Sequence, residues 1–417
     1  MNFEQSMNFI NSFSHSGKKV EDLKRIETLL KLIGDPQKKL KFVHIAGTNG
    51  KGSVLEYCSK AFIDAGIKTG QFTSPYILTY CDRIRINGDN IPEEKVAEIC
   101  TVVSQAVKCE DYSQFEITFA IALLYFLKEK CDIVFLETGI GGRLDATNII
   151  ENPLACIVTS ISLDHTAILG NTVEEIALHK LGIAKENSPL ILSYNNTKSV
   201  KKLAEETANK KNCRLIIPKQ ESLEKLKNNI FGADFIYKNK KYHLKMGGEH
   251  QIINALTAIE TLEILKESFE ISDKNIQNSL SECSVNSRIE IVRKKPLIII
   301  DGGHNESGID SLINILRQSD INNITAVFGM VEGKALDYAI KKISELAKKV
   351  YCVDGFISNN IPSEVLKKKF EDFGIPAESQ NCRNGLDKAL SYSAKNNLPT
   401  VICGSLYLAS EMKKLFL

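Results

Sequence analysis

What this chain of 417 residues lacks narrows its function before any motif is read. It has no imbalance of charge: 53 basic residues stand against 51 acidic ones, the net charge is +2, and no block of like charge exceeds a few residues. Such a surface gives no sign of nucleic-acid or anionic-membrane binding, so small molecules are the expected partners. It has no long apolar run. The longest, near residues 117–127, is too short to cross a bilayer, and the first twenty residues contain no apolar core of secretory-signal length. A cytoplasmic protein is expected, with no membrane partner. The eleven cysteines include no CxxC pair, which fits reduced, buried thiols better than disulfides or a zinc site. Internal repeats and low-complexity segments are also absent, and the length corresponds to two or three ordinary domains.

What is present begins with Lys41-Phe-Val-His-Ile-Ala-Gly-Thr-Asn-Gly-Lys-Gly-Ser53. An apolar run, broken only by His44, stops in a turn containing Gly47, Thr48, Asn49, Gly50, Lys51, Gly52 and Ser53. This reads as a buried strand feeding a phosphate-binding loop: the glycines let backbone N–H groups face an anion, and Lys51 supplies the countercharge. Residues 54–65 have helical spacing, so a helix N-terminus would point at the same anion. Ser53 is placed to reach a magnesium ion. The strict GxxxxGK[ST] pattern is not met, because Gly52 separates Lys51 from Ser53 and position 45 is Ile. The competing reading is a glycine-rich strand-to-helix turn with an exposed lysine.

Strands and helices alternate along the rest of the chain. Helices are expected at 20–33, 116–127 and 172–184, the last capped by Thr172, and strands at 68–72, 132–136 and 154–162, with a hairpin over 79–91 turned at Asn87-Gly88. From about 213 the segments CRLII, DFIYKN and KKYHLKM suggest short antiparallel strands, followed by a helix over 247–265. Residues 285–296 read as a linker. A second alternation follows, with strands at 297–300, 324–328, 350–353 and 399–403 and helices near 308–316, 336–348 and 362–373. The expected fold is α/β: a P-loop-type parallel-sheet ATPase domain over 1–284 with a small antiparallel subdomain at about 213–246, then a Rossmann-like domain over 297–417.

Ligands of open parallel sheets sit beyond the carboxyl ends of the strands. Polar residues there are the phosphate loop, Ser74, Glu137 before the glycine-rich turn 139–142, and Asp164-His165. Taken singly, a solvated Glu, a structural His and a turn Ser before Pro are equally ordinary readings. Together at one sheet edge, a hydroxyl, a carboxylate and an imidazole beside a triphosphate can hold magnesium.

The ordered motifs HIAGTNGKGS (44–53), FTSP (72–75), FEITFA (115–120), ETGIGGRLDATN (137–148), SLDHTAILGNTVEEIA (162–177), HQIINA (250–255), DGGHN (301–305) and GSLYL (404–408) resemble, nearly end to end, the folylpolyglutamate synthases and bifunctional dihydrofolate synthases of the Mur-ligase type. The resemblance implies an ATP-dependent ligase that joins L-glutamate to folates, and to dihydropteroate as well, through an acyl phosphate. The first domain would bind ATP, the second would be the glutamate ligase domain, and a monomer is expected. Ser74, Glu137 and His165 would bind Mg2+; the loop with Lys51 would hold the ATP phosphates; and Asn254, Arg288 and Asp301 would reach the nucleotide. His304 would serve catalysis in the interdomain cleft. Lys180 matches the family lysine whose carbamate helps hold a second magnesium, a role that requires a neutral amine and so a lowered proton affinity.

Departures from the family pattern are Tyr76 for a histidine in TSPHL, DGGHNE for DGAHNP, Asn286-Ser287 for Pro-Gly, Ala335 for Asp, and HKLGI for EKAGI. They bear on the pterin and glutamate pockets, whose shape is expected to depend on the loops 73–85 and 143–147. A Mur-type ligase of a cell-wall precursor and a nucleotide-dependent switch protein are the rival functions.

Overall fold

The structure is a computed structural model and describes residues 1–14, 21–107 and 111–416. Position 20, the first of one expected helix, and the C-terminal position 417 lie outside the described residues. The chain divides into two compact units, Met1–Gln220 with Ile253–Leu280, and Glu221–Ile252 with Ser281–Leu417.

In the first unit eight strands form one sheet: β1 (Phe42–Ala46), β2 (Thr69–Phe72), β3 (Ile84–Ile86), β4 (Asp89–Asn90), β5 (Ile133–Glu137), β6 (Ala155–Val158), β7 (Leu190–Leu192) and β8 (Leu215–Ile216), in the order β4-β3-β2-β5-β1-β6-β7-β8. β2, β5, β1, β6, β7 and β8 run parallel, and β3 and β4 continue antiparallel at one edge. The four strands whose ends carry the expected site residues are therefore neighbours. β1 leads away toward β2 and β5 crosses the other way to β6, so a crevice opens between their carboxyl ends.

Helices cover both faces. On one, Gln114–Lys128 is apolar all round and is buried between the sheet and the helices Phe3–Asn11, Lys24–Leu32 and Glu93–Ala106. Ser113 and Glu116 close its N-terminus in a reciprocal capping box. Phe119, Ile121 and Phe126 are among its fully buried side chains, each worth roughly 1.5–3 kcal/mol of apolar burial. The helices Val173–Leu181 and Lys198–Lys211 continue along that same face, over Cys156, Val158, Leu190 and Leu192, and Lys51–Asp64 covers the other, with Phe62 edge-on to Phe135 at 5.3 Å.

In the second unit β9 (Leu223–Asn229), β10 (Gly232–Tyr237) and β11 (Lys240–Leu244) form an antiparallel sheet of their own, with Phe235 stacked on Tyr242 at 5.4 Å. β12 (Glu290–Lys294), β13 (Leu297–Ile300), β14 (Ile324–Phe328), β15 (Ala347–Asp354), β16 (Ala377–Asn381) and β17 (Thr400–Cys403) form a second sheet in the order β12-β13-β17-β14-β15-β16. All neighbours are parallel except β12 with β13.

Three expectations change. CRLII does not join the antiparallel strands: Leu215 and Ile216 pair parallel with β7, because the crossover helix Lys198–Lys211 returns the chain in the same direction. The segment 285–296 is not all linker, since β12 pairs with β13; its exposed edge position explains the polar sequence. The helix expected at 54–65 begins earlier, at Lys51, so Lys51, Gly52 and Ser53 form its first turn.

Candidate active site

The phosphate-loop sequence has two glycines where nothing else fits. A Cβ on Gly47 would lie 1.8 Å from Thr159 Oγ1, and one on Gly50 would lie 2.2 Å from Asn254 Oδ1; both have positive φ, +153° and +93°. Asn254 is thus packed on the loop within the first unit. Gly52 differs, because a Cβ there would meet nothing within 4 Å. Gly50 caps helix Lys51–Asp64 with no side-chain hydrogen bond, which leaves the N–H groups of Lys51, Gly52 and Ser53 without intrahelical acceptors. Thr48 fastens the loop to the end of β6, its hydroxyl donating to Ser162 O at 3.1 Å and its N–H to Ser160 O at 2.9 Å.

Two lysines converge on one carbonyl. Lys51 Nζ donates to Gly47 O at 3.1 Å and Lys180 Nζ at 2.8 Å. Lys51 also lies 3.7 Å from Glu137 Oε1, and Glu137 Oε2 accepts the N–H of Ser74 at 3.3 Å. Lys180 is 4 % exposed. Burial, and then the positive charge of Lys51, lower its pKa from 10.5 to about 7, against the opposing pull of Asp164 and Asp145. An amine and an ammonium are thus comparably populated near neutral pH.

Ser74, Glu137, Lys51, Lys180 and Asn254 therefore gather around the loop. His165 stands on an exposed left-handed turn (φ 50°) with Nε2 3.9 Å from Asp164 Oδ2. Among the described residues no three His, Cys, Asp or Glu side chains cluster as a metal site by themselves. The donor set still suits magnesium: a buried carboxylate and a neighbouring hydroxyl are oxygen ligands for a hard cation that takes few from protein when phosphates supply the rest. Arg288, Asp301 and His304 belong to the second unit. There Asp301 accepts the N–H groups of Ile289 and Gly303 at 3.0 and 2.8 Å, burial raises its carboxyl pKa, and His304 Nδ1 donates to Gly302 O at 3.0 Å.

The second glycine-rich turn, 139–142, is held by Asp145, which the sequence placed in the pocket-shaping loop 143–147 but to which it gave no role of its own. Asp145 Oδ2 accepts the N–H groups of Gly139 and Ile140, both at 2.9 Å, and Oδ1 accepts the N–H and hydroxyl of Thr147 at 3.0 and 2.6 Å. Since the Thr147 hydroxyl donates there, it accepts from His44 Nε2 at 2.8 Å, which fixes the tautomer of the buried His44. Burial, with Lys185 nearby, lowers the His44 pKa to about 3. The signal for Asp145 was available in its position as cap of the turn Ala146–Ile149. Beside this turn lies a cavity of 520 Å³, bounded by Phe115 and Glu116, residues 139–146, and Leu178 and His179. It is large enough for a bicyclic ligand.

Comparison with known proteins finds likeness along nearly the whole chain. The Mur ligase middle domain matches residues 45–262, and the Mur ligase glutamate ligase domain matches 287–406. The chain is 32% identical over 415 residues to the dihydrofolate synthase/folylpolyglutamate synthase of Bacillus subtilis (strain 168), covering 94% of each chain. Among solved structures, Mycobacterium tuberculosis folylpolyglutamate synthase complexed with ADP and AMPPCP superposes with a TM-score of 0.87 at 25% identity, covering 99% of this chain and 98% of that one. An FPGS–AMPPCP–folate complex superposes with a TM-score of 0.85 at 27% identity over 100% of both chains.

Proposed function

Since the chain belongs to the folylpolyglutamate and dihydrofolate synthase family of Mur ligases, we propose that it joins L-glutamate to folates at the expense of ATP, and uses dihydropteroate as well. The observation that carries this reading is the pair of lysines on the Gly47 carbonyl, with Glu137 beside Lys51 and, next to them, the N–H groups of a helix N-terminus that have no intrahelical acceptor.

The chemistry follows from that charge distribution. The loop N–H groups and Lys51 hold and orient the phosphates of ATP so that a substrate carboxylate can attack the γ-phosphorus, giving an acyl phosphate and ADP. The amine of glutamate then attacks the acyl carbon, an amide forms, and inorganic phosphate leaves. Glu137, with Ser74 and His165, is assigned to Mg2+, which when bound neutralises charge on the phosphoryl oxygens. Lys180 is assigned to carbamate formation: its lowered pKa supplies the neutral amine that attacks carbon dioxide, and the product carries a negative charge in place of a positive one. Asn254, packed on Gly50, is assigned to the nucleotide, as are Arg288 and Asp301, and His304 to catalysis. The 520 Å³ cavity is the proposed seat of the pterin, in keeping with the role expected of residues 143–147.

The test is the dependence of phosphate release on both acceptors. Release from ATP should require a pteroyl carboxylate and glutamate together; release with neither present, or stimulated by a UDP-sugar peptide precursor instead, would overturn the assignment.

A further inference from the structure

The cavity beside the 139–142 turn has its acids committed and two of its bases free. Glu116 accepts Arg25 Nε at 2.8 Å, pairs with Arg25 Nη2 at 2.8 Å, and closes the capping box with Ser113. Asp145 accepts the four donors described above. Glu175 Oε2 accepts the N–H groups of Asn171 and Thr172 and the Thr172 hydroxyl, and Asp22 accepts the N–H of Lys24. Arg143 and His179 line the same cavity, and among the described residues neither side chain has a hydrogen bond or ion pair.

These two groups are fastened together through the backbone, because Arg143 N–H donates to His179 O at 2.7 Å. They form the corner where the turn meets the last turn of helix Val173–Leu181. That corner adjoins the chemistry: Glu137 precedes the turn by two residues, and Lys180 follows His179 directly. A ligand in the cavity with its reacting carboxylate toward Glu137 would present any second carboxylate to Arg143.

The acceptors proposed above differ in this respect. A glutamylated folate reacts through its γ-carboxylate and carries an α-carboxylate beside it, whereas dihydropteroate has one carboxylate, the one activated. We infer that Arg143, with His179 beside it, binds the α-carboxylate of the glutamate already on the substrate and so favours glutamylated acceptors. The planar fork of the guanidinium suits a carboxylate in two-point contact, and the free imidazole adds a neighbouring donor.

This rests on the ligase reading, and the experiment separates the two. Steady-state kinetics with tetrahydrofolate and with its α-amide, which keeps the γ-carboxylate, are measured for the unaltered protein, Arg143→Ala and Arg143→Lys. The unaltered protein should show a KM for the α-amide about 10- to 100-fold above that for the acid, as expected for losing a charge-assisted contact. Arg143→Ala should raise the KM for the acid by a similar factor while leaving that for the α-amide and kcat in place, and Arg143→Lys should recover part of the loss. Equal KM values for acid and amide with the unaltered protein, or equal losses on both with Arg143→Ala, would overturn the inference while ligation itself stands. Ligation of neither acceptor by the unaltered protein would overturn the ligase reading and this inference with it. The acid-amide comparison needs no variant, so a poorly folding Arg143→Ala does not remove the test.

Discussion

The two glycine-rich turns of the first unit follow adjacent strands, β1 and β5, and use glycine for opposite ends. In 47–52 the close approaches at Gly47 and Gly50 shape a loop whose following N–H groups remain without intrahelical acceptors and whose Gly52 faces open space. In 139–142 the N–H groups of Gly139 and Ile140 are consumed by Asp145, and a Cβ on Gly142 would sit 2.7 Å from His179 O. One turn holds its donors in reserve and the other spends them on its own shape. An anion site needs unspent donors, so composition alone does not identify one; what matters is where the N–H groups go.

The largest expected effect lies beneath both turns, at His44, whose strand leads into the first and whose Thr147 contact reaches the clamp of the second. Its folded pKa of about 3 lies below the ordinary 6.5 of a histidine, so its stability contribution is whole above pH 6.5 and is lost as pH falls toward 3. The loss amounts to roughly 5 kcal/mol at the acid end. His44→Gln keeps a donor for Thr147 and takes up no proton; denaturant titrations across that range should show a shallower pH dependence, and identical slopes would remove His44 as the cause.

Next in size, Lys51→Ala should lower ligation by about 10² to 10³ while leaving the melting curve in place, since the lysine contributes charge to the open turn and little packing. Retention of a tenth of the activity or more would place the phosphates elsewhere. A paired substitution then contrasts the turns directly. Gly142→Ala should cost about 1–3 kcal/mol in stability through overpacking, whereas Gly52→Ala should leave stability level and lower kcat/KM by about tenfold or more, because its methyl enters the space reserved for phosphate. The reverse pattern would exchange the roles of the turns. The smallest effect belongs to Tyr76→His. Tyr76 is 43% exposed with Arg83 5.2 Å from its ring centroid, so stability should move within about 0.5 kcal/mol. A change in the ratio of dihydropteroate to tetrahydrofolate turnover is the readout; an unaltered ratio would remove Tyr76 from acceptor selection.

These contrasts also explain what was readable in the sequence. β1 and β5 were legible because buried parallel strands are near-continuous apolar runs, and Glu137 stood out as the polar residue ending one. The hairpin was legible at Asn87-Gly88, whose positive φ values of 53° and 89° suit that pair. β9, sequence LEKLKNN, has no such alternation, and its strand character comes from pairing with β10. The helix Lys198–Lys211 has a mostly polar surface and just three buried residues, Val200, Ala204 and Ala208. The loop 143–147 was singled out from the sequence, but the separate roles of Asp145 and Arg143 within it were not legible: one acts partly through backbone donors before it in the chain, and the other's importance lies in a side chain with no hydrogen bond or ion pair among the described residues.

The first sheet also has short margins. Its outermost strands, β4 and β8, are two residues long, and β4 is the exposed, polar pair Asp89-Asn90. A long bare edge would offer a template on which another partly folded chain could add a strand, the first step of ordered aggregation. Here an incoming strand finds a very short stretch of ladder to extend, so the sheet that carries the phosphate loop gives little purchase to that form of self-association.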